Sequence, residues 1–195
     1  MRLSLLALIT LSPAVMPAQK PLAPAEQIKL AVLPLPMAFR ATATVLGYDT
    51  RGKLVPLRRG TGAMTCLGTD PADKSMFHVA CYQNSMEPFM ARGRDLRAHG
   101  ANQNKVDSVR SAEAKSGKIP MPKQGAALWM LTGPWSGVNV KAGTVSAAVK
   151  PMYELYVPWA TAASLGVPDE PITNGPWLME PGTAKAHLMF TPSMN

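Results

Sequence analysis

The sequence predicts an α+β domain built on a mainly antiparallel sheet, with one or two helices inserted between strand blocks. Three observations point there. Short β-patterned segments joined by turn chemistry fill residues 39–82, and a helix-patterned stretch with start and stop signals follows at 86–115. From residue 126 onward β-patterned segments return, separated by Gly and Pro. The 19 prolines and 15 glycines imply many turns and short elements and disfavour long helical bundles.

Taken in chain order, the first element is not part of the domain. Met1 and Arg2 precede an apolar run from Leu3 to Met16, which is a short positive region followed by a core too short to span a bilayer. This pattern predicts a secretion signal, residues 1–25, with the mature start between Gln19 and Glu26. No cysteine stands directly after the apolar run, so a lipid anchor is not expected, and no later apolar run reaches the roughly 18 residues of a transmembrane helix. Residues 26–195 are expected to form a single domain, periplasmic or secreted.

The segment Phe39 to Tyr48 is rich in Thr, Val and small residues, and Asp49-Thr50-Arg51-Gly52 reads as a tight turn into Lys53 to Leu57, predicting a β-hairpin. A second hairpin is predicted from Ala63 to Leu67 and Met76 to Tyr82, across a loop of Gly, Asp and Pro. It would set Cys66 opposite Cys81, and in an oxidising compartment the two would form a disulfide. Ser85 is positioned to cap a helix from Met86 to about His99, with Gly100 as its stop and Gly93 as an interior weakness. Lys105 to Lys115 suggests a second helix, polar nearly all round and therefore exposed or poorly ordered. Strands are predicted at Ala126–Leu131, Tyr153–Val157, Trp177–Glu180 and Ala186–Phe190. The last two are expected to pair as a hairpin. Strand alternation assigns Ala186, Leu188 and Phe190 to the core face and His187 with Met189 to the opposite one.

The formal charge is +8, and residues 92–123 concentrate it, with eight basic residues against Asp95, Asp107 and Glu113. Such a surface suits phosphate-bearing or otherwise anionic envelope components. Nucleic acid is not expected, because no groove-reading motif is present. The default reading of the segment is a solvated helix face.

Familiar catalytic and cofactor motifs are incomplete. Gly47 to Lys53 has P-loop spacing, but Leu54 replaces the hydroxyl that holds magnesium and a strand follows where a helix should. Gly60-Thr61-Gly62 lacks the third glycine of a dinucleotide fingerprint, and Gly133-Pro134-Trp135-Ser136-Gly137 misses a nucleophile elbow by one position. No cofactor is expected, and a zinc motif is missing. The three Pro-Trp dipeptides make Trp135, Trp159 and Trp177 candidate contact residues, since an indole on a stiff loop can stack on a sugar ring. His187 joins them as a ligand-binding candidate. Met76 with His78 and His187 with Met189 each place thioether and imidazole on one strand face, a copper-type ligand set.

The layout Gly60-Thr61-Gly62 into Thr65-Cys66, a second cysteine at Cys81, a helix, and a closing Pro176-Trp177-Leu178-Met179 … Ala186-His187-Leu188-Met189 resembles an uncharacterised group of secreted bacterial proteins with no established activity. The resemblance spans most of the mature chain and implies a bacterial exported protein. Function is therefore expected from the residues themselves: a non-enzymatic extracytoplasmic binding or structural domain meeting a glycan or an anionic envelope component. The alternatives are a Met/His copper-handling protein and a hydrolase of unknown type.

Overall fold

The computed structural model describes residues 20–190; the apolar run at 3–16 lies outside them. Helix α1 (Pro24–Ala31) opens the fold, with Pro at its first turn and the Glu26 carboxylate accepting from the Ala23 amide at 3.1 Å. The short α2 (Met37–Arg40) follows, so the first strand begins at Thr44 rather than at Phe39. The strands are β1 (Thr44–Tyr48), β2 (Leu54–Arg58), β3 (Met64–Leu67), β4 (Phe77–Gln83) and β5 (Ala126–Gly133). A small β6 (Val138–Asn139) and β7 (Thr144–Val145) pair, then come β8 (Lys150–Tyr156), β9 (Trp177–Met179) and β10 (His187–Phe190). Helices α3 (Glu87–Ala98) and α4 (Gln103–Lys115) stand between β4 and β5, and a one-turn α5 (Ala162–Leu165) follows β8. Eight strands form one sheet in the order β2-β1-β3-β4-β5-β8-β10-β9, antiparallel except between β1 and β3. The fold is α+β, as the order of patterns implies.

Both faces of the sheet are covered. On one, α1 lays Leu30 and Ala31 over Val45, Cys66, Cys81 and Phe77. On the other, Met86, Phe89, Ala114 and Ile119 from the α3–α4 region pack on Tyr82, Ala126, Leu128 and Tyr156. Cys66 and Cys81 face each other in register and form a disulfide with Cα atoms 4.0 Å apart, both sulfurs wholly buried. No helix among the described residues is long and apolar enough to cross a membrane.

Three expectations need correction. Ser85 does not cap the helix: it sits in a 3₁₀ turn, Asn84–Met86, whose Gln83 side chain accepts from the Ser85 amide at 2.7 Å, and α3 starts at Glu87. The second helix is not exposed all round. Val106, Arg110 and Ala114, four residues apart, form a buried stripe, and Asn102 caps the helix by accepting from the Lys105 amide at 2.9 Å. What disguised the stripe is Arg110, whose guanidinium lies 4.1 Å over the Phe89 ring and bonds Asp107 at 2.8 Å. Gly93 then has its reason: a Cβ there would come within 3.0 Å of Arg110 Nη1. Finally, β10 pairs with β9 as expected, but His187 and Met189 are buried while Phe190 is 36% exposed. Ala186 is buried too, and Leu188 is half-buried. With both faces of the sheet covered, an apolar set on one face does not mark that face as the core.

Candidate functional site

At one end of the α3–α4 face the sheet stops and a cleft of about 540 Å³ opens. Its walls come from four places: the end of β1 and the β1–β2 turn (Tyr48, Gly52, Lys53, Leu54), the β3–β4 loop (Thr69, Asp70, Asp73), the start of β4 (Met76, His78, Ala80), and the last turn of α3 (Arg94, Arg97, Ala98). The parallel β1·β3 pair brings two strand C-termini to the same end, where the antiparallel β4 begins. Topology gathers these groups.

Each wall is fixed from behind. Buried Gln27 on α1 clamps Tyr48 through both backbone groups: its Nε2 donates to Tyr48 O (2.9 Å) and its Oε1 accepts from Tyr48 N (2.7 Å). Burial, followed by the nearby Asp70 carboxylate, pushes the Tyr48 phenol up to about 12, so it remains a neutral hydrogen-bonding group. Asp70 and Asp73 each hold their loop by accepting through Oδ1, Asp70 from the Ala72 amide (2.8 Å) and Asp73 from the Ser75 amide (2.9 Å). Arg94 is set in place by Glu87 (2.6 Å) and by the Tyr82 hydroxyl (2.8 Å), which in turn donates to Glu87. Arg97 donates to the Gln103 amide oxygen at 2.9 Å and forms no ion pair among the described residues. Partial burial, then the neighbouring Arg110, lowers its pKa. His78 is open to solvent along the cleft, yet the atoms crowding it lower its pKa against the opposing pull of Asp73.

The basic segment 92–123 is thus not a simple solvated face. Arg92 bridges α3 to α4 through both Glu113 oxygens (2.8 and 3.0 Å), Lys118 joins the same carboxylate (2.9 Å), and Arg110 is buried.

The residues singled out by sequence scatter. Trp135 packs edge-on against Phe77, centroids 5.4 Å apart, on the α1 face beyond the end of β5. Trp159 is 43% exposed, with a left-handed backbone (φ 68°), beyond the far end of β8. Six ladder positions separate those ends, from Thr132↔Lys150 to Ala126↔Tyr156, or about 20 Å. Trp177 lies on the α3–α4 face beside Met189. The three indoles form no common platform. His187 stacks on Tyr156 (5.1 Å, 22°), and its Nδ1 contacts Lys185 O at 2.5 Å; a carbonyl only accepts, so Nδ1 carries the proton. Beside it burial raises the Glu154 carboxyl, opposed by His187 and Lys185. Met76 and His78 share the cleft, three strands away from His187 and Met189. Among the described residues no group of three or more His, Cys, Asp or Glu is placed to hold a metal.

Comparison with protein-family models, with curated proteins and with solved structures finds no match.

Proposed function

We propose that this is an exported, non-enzymatic binding protein whose ligand, an anionic or glycan component of the cell envelope, occupies the cleft between α3 and the β1–β2 and β3–β4 connections. The supporting observation is the convergence there of cationic, carboxylate and hydroxyl groups from separate elements, with Tyr48 braced by Gln27 and Arg94 by Glu87 from outside the cleft. Bracing lowers the ordering cost of binding, which favours recognition. The disulfide fits an oxidising compartment, in keeping with an N-terminal secretion signal. The indoles are then structural or separate contacts: Trp135 plugs one end of the sheet, and Trp159 is free to contact a partner elsewhere.

The hydrolase alternative is weakened at the most obvious nucleophile. Thr69 lines the cleft near His78, but its hydroxyl donates to the His78 backbone carbonyl (2.9 Å), so its proton is not presented to an imidazole. Copper keeps one specific observation in its favour: Met76, 40% exposed, and His78, whose lowered pKa keeps the ring neutral near pH 7, open into the same space. The experiment is a calorimetric screen of envelope glycans, anionic headgroups and Cu(I) against the exported protein and its Ala98→Trp variant, in which the indole fills the cleft rim. We expect a glycan or anion to bind the parent and not the variant. Equal binding to both would remove the cleft from the function, and binding of Cu(I) alone would select the copper reading.

A further inference from the structure

We infer that the ligand of this cleft is an acidic saccharide, a sugar bearing a carboxylate or phosphate, with its anionic group taken by Arg97 and Lys53 and its hydroxyls by Asp70 and Asp73. The inference rests on the cleft being the binding site and adds the chemistry of what enters it. Three features carry it.

First, the charges are sorted. Lys53, Arg94 and Arg97 come from the β1–β2 turn and α3, whereas Asp70 and Asp73 come from the β3–β4 loop. A cleft meant for a simple anion would gain nothing from two carboxylates, which repel it. Carboxylates that only accept hydrogen bonds are suited to hydroxyl donors, and a polyol supplies several at fixed spacing.

Second, the cations are unequally committed. Arg94 is bound to Glu87 and Tyr82, but Arg97 has an amide oxygen as its partner and stands in the field of Arg110 and Arg94, which Asp107 offsets in part. An anion at Arg97 relieves that repulsion and takes a planar fork of donors, which matches a carboxylate or phosphate. Arg94 thereby becomes a positioning residue that shapes the wall.

Third, the remaining lining is apolar but shallow: Leu54, Leu67, Met76 and Ala80. A sugar ring presents C–H groups on its faces and hydroxyls at its rim, so it can rest on such a floor while both polar walls act on its edge. A planar aromatic anion would bring the two aspartates no donors beyond those of their own loop, and covering them would then cost desolvation. A volume of about 540 Å³ accommodates one or two sugar units rather than a long polymer segment, so a polymer would be read at its end or at a short exposed stretch.

The test is a backbone-amide NMR titration of the exported protein with D-glucuronate, D-galacturonate, glucose 6-phosphate, glucose and inorganic phosphate, repeated on Arg97→Gln, Arg97→Lys and Asp70→Asn. Arg97 and Asp70 are exposed enough that these variants should fold, which their own spectra verify. We expect saturable shifts at Gly52, Gly68, Thr69 and Ala98 with acidic sugars, and much weaker effects from glucose or phosphate alone. Arg97→Gln should weaken acidic-sugar binding about tenfold and Arg97→Lys less, while Asp70→Asn should weaken it as well. The uronates and the sugar phosphate distinguish carboxylate from phosphate as the anionic group. Shifts at the same amides with glucose as strong as with uronate, or with phosphate alone, would overturn the acidic-saccharide inference and leave the cleft as the site. Acidic-sugar shifts confined to residues outside the cleft would overturn both. The absence of saturable shifts with every probe would overturn the ligand class.

Discussion

The Cys66–Cys81 disulfide offers the most quantitative test of the fold, because it closes the loop carrying Asp70 and Asp73. The cysteines are 15 residues apart, and constraining an unfolded chain over that span stabilises the native state by about 3 kcal/mol on the chain-entropy account. Both residues are fully buried between α1 and the sheet, so replacing them with alanine also removes packed sulfur and adds about 1 kcal/mol. The Cys66→Ala/Cys81→Ala variant should therefore lose about 3 to 4 kcal/mol, or about 6 to 16 °C in Tm for a chain of this size. Urea denaturation of both proteins, with and without reductant, measures this. Reductant should lower the midpoint of the parent and leave that of the variant unmoved. A loss below about 1 kcal/mol, or a parent insensitive to reductant once unfolded, would show that the bridge does not restrain the chain as described.

Other consequences follow from the helix pair and the closing strand. Arg110→Ala should cost about 2 to 3 kcal/mol in urea denaturation, because it strips the guanidinium from Phe89 and leaves Asp107 with Lys185 and Gln103; a cost under about 0.5 kcal/mol would mean the guanidinium packs there without consequence. Hydrogen bonds from Arg92, then from Lys118, hold the Glu113 carboxyl at about 2 against an ordinary 4.5. A depressed folded pKa means that its stabilisation is present above about pH 4.5 and is lost as pH falls towards 2. The stability difference between the parent and Glu113→Gln should therefore shrink through that window, and a difference constant with pH would contradict the pairing. His187→Gln should lower stability by no more than roughly 2 kcal/mol through the lost stack on Tyr156, with sugar binding unchanged; loss of binding with intact stability would make His187 a site residue.

The parts of the fold legible in the sequence were those with local chemistry. The Asp49–Gly52 turn, the Gly-Asp-Pro loop before β4 and the Pro181-Gly182 turn before β10 each carry residues that few other conformations favour, so all three hairpins could be read directly. The facing cysteines followed from the second hairpin. Burial was harder. Alternation in β10 separated two faces correctly but could not show that His187 and Met189 are buried while Phe190 at the strand end is exposed. The stripe Val106, Arg110, Ala114 had helical spacing, but an arginine in its centre concealed it. Helix α1 begins within the window assigned to the leader's end, where no element was expected. The cleft itself was not legible. Its groups lie in three separate segments, 48–54, 67–80 and 94–98, which the β1·β3 and β3·β4 pairings and the packing of the α3 region on the sheet bring together. Arg94 and Arg97 did stand out as part of a basic cluster, and His78 as a possible ligand, but nothing local joined them.

The assignment of the cleft can be tested directly in cells by placing a photo-crosslinking amino acid at Met76, on the apolar floor of the cleft and 40% exposed, and separately at Lys141, at the tip of the β6–β7 turn next to Lys29 of α1. Irradiation of intact cells exporting each protein should yield a sugar-bearing adduct at position 76, diminished by Ala98→Trp, and none at position 141. A sugar adduct at 141 equal to that at 76, or one at 76 that survives the filled cleft, would contradict the cleft as the place where this protein meets its ligand.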